Sequence, residues 1–249
     1  MQAIVQGLLT NYTRSGKGKQ VLVLPGWADK AANWHGFAAA LAKHYDVVVL
    51  DLPGFGGSQT PTEAWSLDEY AAFVADFVAK VQLKPYAIIG HSNGGGIAIR
   101  GAANNVLRAD KLVLLASAGV RGEQNGRQSA LKLATRAGKL LAKPLPGRVQ
   151  RRLRRKLYEH TGSDMLVAEH MQETFKKIVA DDVRADARQL SLPTLLIYGE
   201  QDTATPVRYG QLLHQLIDDS TLEIVAGADH FLYLHNTDRV VELVEDFLK

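Results

Sequence analysis

Three residues in one chain order could carry chemistry: Ser92 in Gly90-His91-Ser92-Asn93-Gly94, Asp202 in Gly199-Glu200-Gln201-Asp202, and His230 in Gly227-Ala228-Asp229-His230-Phe231. A serine hydroxyl is a poor nucleophile until a base takes its proton, and imidazole has the basicity for that near neutrality. A carboxylate accepting from the second ring nitrogen fixes the tautomer and stabilises the imidazolium. The order Ser, Asp, His differs from both protease orders of the same arrangement. Among eight histidines, His230 stands out because it follows the last strand-like run, where an open α/β sheet keeps its site. His35, His44, His160, His170, His214 and His235 fall on expected helices or loops without metal-ligand spacing. Glu200 is expected to face solvent, and Asp229 adjoins His230 too tightly to orient it.

Acyl transfer at Ser92 also requires two N–H groups aimed at the developing oxyanion. Asn93, directly after the serine at a helix start, supplies one. Trp27, in Leu24-Pro25-Gly26-Trp27 after the first core strand, supplies the other. Gly26, Trp27, His91 and Phe231 are the candidates for the substrate pocket. His91 is expected to point away from the serine and to pack or cap. Trp34 either shapes an acyl pocket or packs in the core.

Gly-x-Ser-x-Gly is a weak pattern alone and gains meaning from a strand before it and a helix after it. Tyr86-Ala87-Ile88-Ile89 precedes it, and an apolar helical pattern over 93–106 follows. At a strained turn, side chains two residues either side of the nucleophile would clash, so Gly90 and Gly94 fit there. Gly95 and Gly96 would bring the helix close to the sheet. Further short runs rich in Val, Ile and Leu occupy 21–24, 46–50, 112–116, 194–198 and 221–225. Such runs suit strands buried on both faces. Helical periodicity over 67–82 (with Ser66 as N-cap), 206–217 and 237–248 separates them, which reads as an open α/β sheet. The first twenty residues read as a strand or hairpin turning at Ser15-Gly16-Lys17-Gly18.

The strand pattern stops after Gly119. Residues 121–188 show helical stretches only, at 128–142, 148–158 and 164–180, and carry 16 Lys+Arg against 8 Asp+Glu. The remainder is mildly acidic, with 13 against 18. The run Arg148-Val149-Gln150-Arg151-Arg152-Leu153-Arg154-Arg155 is either a solvated helix face or a surface that recruits an anion: an acidic carrier protein, a carboxylated acyl chain or an anionic membrane surface. Nucleic acid ranks low, because no aromatic interleaving or reading module accompanies the charges. The chain has no cysteine, which removes disulfides and a thiolate nucleophile. No basic, apolar leader and no membrane-length apolar run is present, so a cytoplasmic location is expected.

Together these blocks resemble the α/β-hydrolase superfamily, specifically its small, cap-bearing serine esterases and lyases. Val21-Leu22-Val23-Leu24-Pro25-Gly26-Trp27 resembles the oxyanion strand and loop, residues 51–58 (DLPGFGGS) the following turn, and GHSNGG the nucleophile elbow. GEQDTATP resembles the acid loop and GADHF the histidine loop, so the likeness spans residues 20–249. One departure is Pro25 where the family usually has histidine. DLPGFGG lacks the third glycine of a dinucleotide loop. The resemblance implies a mostly parallel sheet flanked by helices, with 1–120 and 189–249 as one discontinuous core and 121–188 as a helical cap. It implies hydrolysis of a small carboxylic ester through an acyl-enzyme, with no cofactor and no metal. It equally allows carbon–carbon bond hydrolysis or a lyase reaction with the same triad. A different class, a slow-turnover ligand-binding protein of this fold, is the remaining alternative.

Overall fold

Along the central strands apolar residues serve both faces in alternation. Leu22, Leu24, Val48, Leu50, Ile88, Leu112 and Leu114 enter one core layer, while Val21, Val23, Val47, Val49, Ile89, Val113 and Leu115 enter the other. A strand buried on both sides needs helices on both sides. The computed structural model describes residues 1–120 and 168–249 and shows that arrangement.

Among the described residues the strands are β1 (Gln2–Val5), β2 (Leu8–Gly16), β3 (Gln20–Leu24), β4 (Asp46–Leu50), β5 (Pro85–His91), β6 (Lys111–Leu115), β7 (Thr194–Gly199) and β8 (Ser220–Val225). They form one sheet in the order β1-β2-β4-β3-β5-β6-β7-β8. β3 to β8 pair in parallel, whereas β1–β2 and β2–β4 pair antiparallel. The helices of the core are α1 (His35–Leu41), α2 (Leu67–Lys80), α3 (Asn93–Ala103), α6 (Val207–Leu216), α7 (Leu232–His235) and α8 (Thr237–Leu248). Phe73 and Phe77 of α2 and Ile97 of α3 fill the first layer; Phe37 of α1 and Val240 and Val244 of α8 fill the second. Ser66 caps α2 as expected: its hydroxyl accepts from Asp68 N–H, and the Glu69 carboxylate accepts from Ser66 N–H at 2.6 Å.

The N-terminal hairpin turns elsewhere than its composition suggested. Val5 pairs with Leu8, so Gln6 and Gly7, with φ 48° and 79°, form the tight turn that suits strand twist. Gly16, at φ 86°, instead ends β2 against the carbonyl oxygens of Ala42 and Tyr45, where a Cβ has no room.

Residues 168–188 return to the core as a short turn followed by α4 (Gln172–Ala180) and α5 (Arg184–Ala187). Met171 and Thr174 are buried and Phe175 and Ile178 half-buried, one face at helical spacing. The expected helix over 164–180 is therefore α4 in its described part. Thr174 Oγ1 accepts from Trp65 N–H at 3.1 Å, and Lys177 Nζ donates to Ala64 O at 2.6 Å. Arg100 of α3 binds Asp68, Asp181 and Asp186 at 2.8–2.9 Å, joining α2 and this returning segment. The expected helices 128–142 and 148–158, with the basic run, lie outside the described residues.

Candidate active site

Ser92 sits between β5 and α3 at φ 50°, ψ −116°, a region that costs a residue with a side chain about 1–3 kcal/mol. The glycines around it are steric requirements. A Cβ on Gly90 would lie 2.6 Å from Gly94 O and Gly95 Cα, and one on Gly94 would strike the Leu24 carbonyl oxygen. Gly95 is similarly held by Ser117, whose Cβ would be 2.8 Å away, so α3 does lie close at that point. Gly96 differs from expectation: its nearest neighbours would be at an ordinary 3.6 Å. Ala28, which lines a cavity with Ser92, and Ala116, whose carbonyl bonds Thr205 Oγ1, are also non-glycine residues at positive φ.

Asp202 follows β7 and is 5% exposed. Its Oδ2 is 2.7 Å from His230 Nδ1, and its Oδ1 accepts from Ala204 and Thr205 N–H, each at 2.8 Å. Burial pulls the Asp202 carboxyl upward, but hydrogen bonds from His230 and Thr205 outweigh it, and its pKa falls below the ordinary 3.8. The carboxylate is therefore the stable form facing the imidazole. With Asp202 accepting at Nδ1, His230 keeps its Nε2 lone pair free. Thr205, which the sequence reading did not single out, places Oγ1 2.7 Å from Asp202 Oδ2, 2.9 Å from Ala116 O and 3.1 Å from His230 Nδ1. Its spacing three residues after an aspartate in a turn was the available signal. Glu200 is exposed and accepts from Gly227 N–H, while Asp229 binds Phe231 N–H and His235.

Ser92 and His230 line one cavity of about 450 Å³ with Gly26, Trp27, His91 and Phe231, within the usual range for small-molecule sites. Gly26 is pressed against Ser92; a Cβ there would be 3.2 Å from the serine Cβ. The main-chain N–H groups of Trp27 and Asn93 meet no acceptor among the described residues. The Trp27 indole lies between Phe55 and Phe175, with centroids 4.8 and 5.0 Å away. Trp34 takes the core alternative: it is fully buried and stacks on Tyr233 at 3.7 Å. Phe231 is 45% exposed at the rim.

Two further carboxylates hold the loop after β3. Asp29, 7% exposed, accepts from Trp34 Nε1 and Tyr233 OH at 2.8 Å and from Asn33 Nδ2 and Lys30 N at 2.7 Å. Asp51, from the DLPGFGGS turn, accepts from Ala31 N at 2.5 Å, Asn11 Nδ2 at 2.7 Å and Gly57 N at 2.8 Å. That turn is structural: it ties the loop bearing Gly26 and Trp27 to the sheet. His91 is 1% exposed and does more than pack, because its Nε2 is 2.9 Å from the His230 carbonyl oxygen.

The fold and this junction of β5 with α3 define an α/β hydrolase. A family model described as the alpha/beta hydrolase family matches residues 21–243; the chain belongs to that family and is a hydrolase. It is similar to pimeloyl-[acyl-carrier protein] methyl ester esterase of Aeromonas salmonicida, 30% identical, over 94% of this chain and 97% of that protein. It is also similar to 2-hydroxy-6-oxo-6-(2'-aminophenyl)hexa-2,4-dienoic acid hydrolase of Metapseudomonas resinovorans, 25% identical, over 97% and 88%. Among solved structures, a meta-cleavage product hydrolase from Pseudomonas fluorescens IP01 superposes with a TM-score of 0.76 at 26% identity, over 99% of this chain and 96% of that one.

Proposed function

We propose that the protein is a serine hydrolase that cleaves a small carboxylic ester through an acyl-enzyme. The observation that carries this reading is the Asp202–His230 contact of 2.7 Å, opening on the cavity that His230 shares with the strained Ser92. His230 Nε2 removes the Ser92 proton as Oγ attacks the ester carbonyl. Asp202 holds the imidazolium that forms, and the N–H groups of Trp27 and Asn93 receive the oxyanion. His230 then protonates the departing alkoxide, the carbon–oxygen bond breaks, and Ser92 carries the acyl group. A water deprotonated by His230 attacks this second ester and releases the acid and free Ser92. No step uses a cofactor.

Residues 121–188 serve as a cap over Ser92 in this reading, and their basic balance favours an acid-bearing substrate. Likeness to an esterase of a pimeloyl group on acyl carrier protein supports an acyl ester presented by an acidic carrier. Carbon–carbon bond hydrolysis is the second reading, favoured by the likeness to the Metapseudomonas enzyme. Turnover of p-nitrophenyl acetate and of methyl esters with free or carrier-bound acyl chains, beside a vinylogous diketone, decides between them. Covalent labelling of Ser92 by a fluorophosphonate, and its loss in Ser92→Ala, is the expected result. Ser92→Ala with undiminished ester turnover would refute the proposal, and labelling without turnover would point to a binding protein.

A further inference from the structure

The His91 imidazole touches three segments that the proposed reaction must hold together. It precedes Ser92 at the end of β5. Its Nε2 is 2.9 Å from His230 O; a carbonyl only accepts, so Nε2 carries the proton and Nδ1 the lone pair. On its other side a Cβ on Gly26 would stand 2.9 Å from His91 Nδ1. The ring is enclosed by Tyr233 at 5.0 Å and Trp34 at 5.9 Å, and Asp29 Oδ2 receives a hydrogen bond from each of those residues. A buried assembly anchored on Asp29 therefore fixes the ring independently of Ser92.

His230 needs such a fixture. It lies between β8 and the short α7, beyond Gly227 at φ 67°. Asp202 restrains its ring from Nδ1, and the bonds from Gly227 N–H to Glu200 and from Gln201 N–H to Ala228 O tie the start of the loop to the end of β7, but none of these is made by the His230 main chain itself. Among the described residues, only His91 donates to the His230 carbonyl. Resting on the serine-hydrolase reading above, we propose that His91 is a positioning residue: its Nε2–H holds the His230 backbone so that the imidazole is kept in the cavity it shares with Ser92. A phenylalanine would fill the same aromatic slot without the donor, whereas a glutamine carries an N–H at a comparable reach.

The experiment compares wild type, H91F and H91Q in p-nitrophenyl acetate kinetics and in the rate of fluorophosphonate labelling, with folding checked by circular dichroism. H91F is expected to lower kcat and the labelling rate about tenfold or more, with KM changed by less than about twofold, because misalignment of the base penalises the reacting geometry rather than binding. H91Q is expected to recover most of the loss. H91F with the kcat of wild type, or H91Q as slow as H91F, overturns the proposal. Should H91F fail to fold, H91Q against H91M supplies the same comparison of donor with no donor. Ser92→Ala separates the two readings: activity retained there removes the serine-hydrolase reading, whereas equal rates for wild type and H91F remove only the role of His91.

Discussion

Thr205 Oγ1 stands 2.7 Å from Asp202 Oδ2 while the same carboxylate oxygen is 2.7 Å from His230 Nδ1. One oxygen thus serves both the hydroxyl and the imidazole, and the hydroxyl is also within reach of the Ala116 carbonyl. Thr205 therefore limits the positions Asp202 can adopt beneath His230. Thr205→Val keeps the shape and removes the donor. The expected outcome is a fall of about tenfold in kcat/KM, equivalent to about 1.4 kcal/mol of lost transition-state stabilisation. Thr205→Ser should restore most of it. Steady-state ester kinetics on the three proteins check this; equal values for Thr205→Val and wild type would mean that the Ala204 and Thr205 N–H groups hold Asp202 unaided.

His91 gives the fold an acid-sensitive element. Burial, and then the charge of the neighbouring His230, lower its pKa from the ordinary 6.5 to about 4; the hydrogen bond to the His230 carbonyl and then the carboxylates of Asp29 and Asp202 act in the opposite sense without reversing it. The unfolded chain takes up this proton near pH 6.5, whereas the folded chain does so only near pH 4. Stability from this residue is therefore complete above pH 6.5 and declines as pH falls through that window. Asp202, with its folded pKa below 3.8, is lost in a separate and lower window. Urea unfolding of wild type and H91Q at pH 7, 5.5 and 4.5 measures the effect. The wild type should lose stability over this range faster than H91Q, and parallel curves would show that His91 does not govern it.

What was legible in the sequence follows from range. β3, β5 and β6 and the turn at Ser92 declare themselves locally, since Val, Ile and Leu runs buried on both faces and glycines at fixed offsets are properties of a few neighbouring residues. Ser66 and Glu69 likewise meet within one helical turn. The hairpin turn is not fixed by composition, because glycine serves two purposes: Gly7 provides a turn, whereas Gly16 admits carbonyls from Ala42 and Tyr45. Asp29 bonds Lys30, Asn33 and Trp34 close by, but the bond that ties this loop to the end of the chain reaches Tyr233, 204 positions away. His91 reads locally as a residue that packs or caps, and its bond to His230 spans 139 positions. No local pattern announces such pairs.

The charge of residues 121–188, 16 basic against 8 acidic, makes a kinetic prediction in the proposed cap. If it attracts an anionic substrate or carrier, added salt screens that attraction and lowers kcat/KM. Raising ionic strength from about 0.05 to 0.3 M should reduce kcat/KM several-fold for a carboxylated or carrier-bound ester and little for a neutral one. Replacing Arg151, Arg152, Arg154 and Arg155 together with alanine should flatten the dependence. An unchanged salt slope in that variant would assign the run to solvation alone.

Asn93 presents the opposite case, a buried polar side chain with no visible return. The residue is 4% exposed, and neither Oδ1 nor Nδ2 has a partner among the described residues. Its contribution to the proposed oxyanion hole uses only the main-chain N–H, which any residue except proline provides. An unpaired buried amide costs about 1–3 kcal/mol, whereas an apolar side chain of similar size carries no such penalty. Asn93→Leu should therefore raise the melting temperature, against the usual direction for a buried substitution beside an active site. Calorimetry without added ligand is the measurement. A higher melting temperature would mean that the fold tolerates an unpaired amide here for the sake of something outside the free protein. A lower one would mean that the amide is already satisfied, and that its packing contributes to the stability of the start of α3.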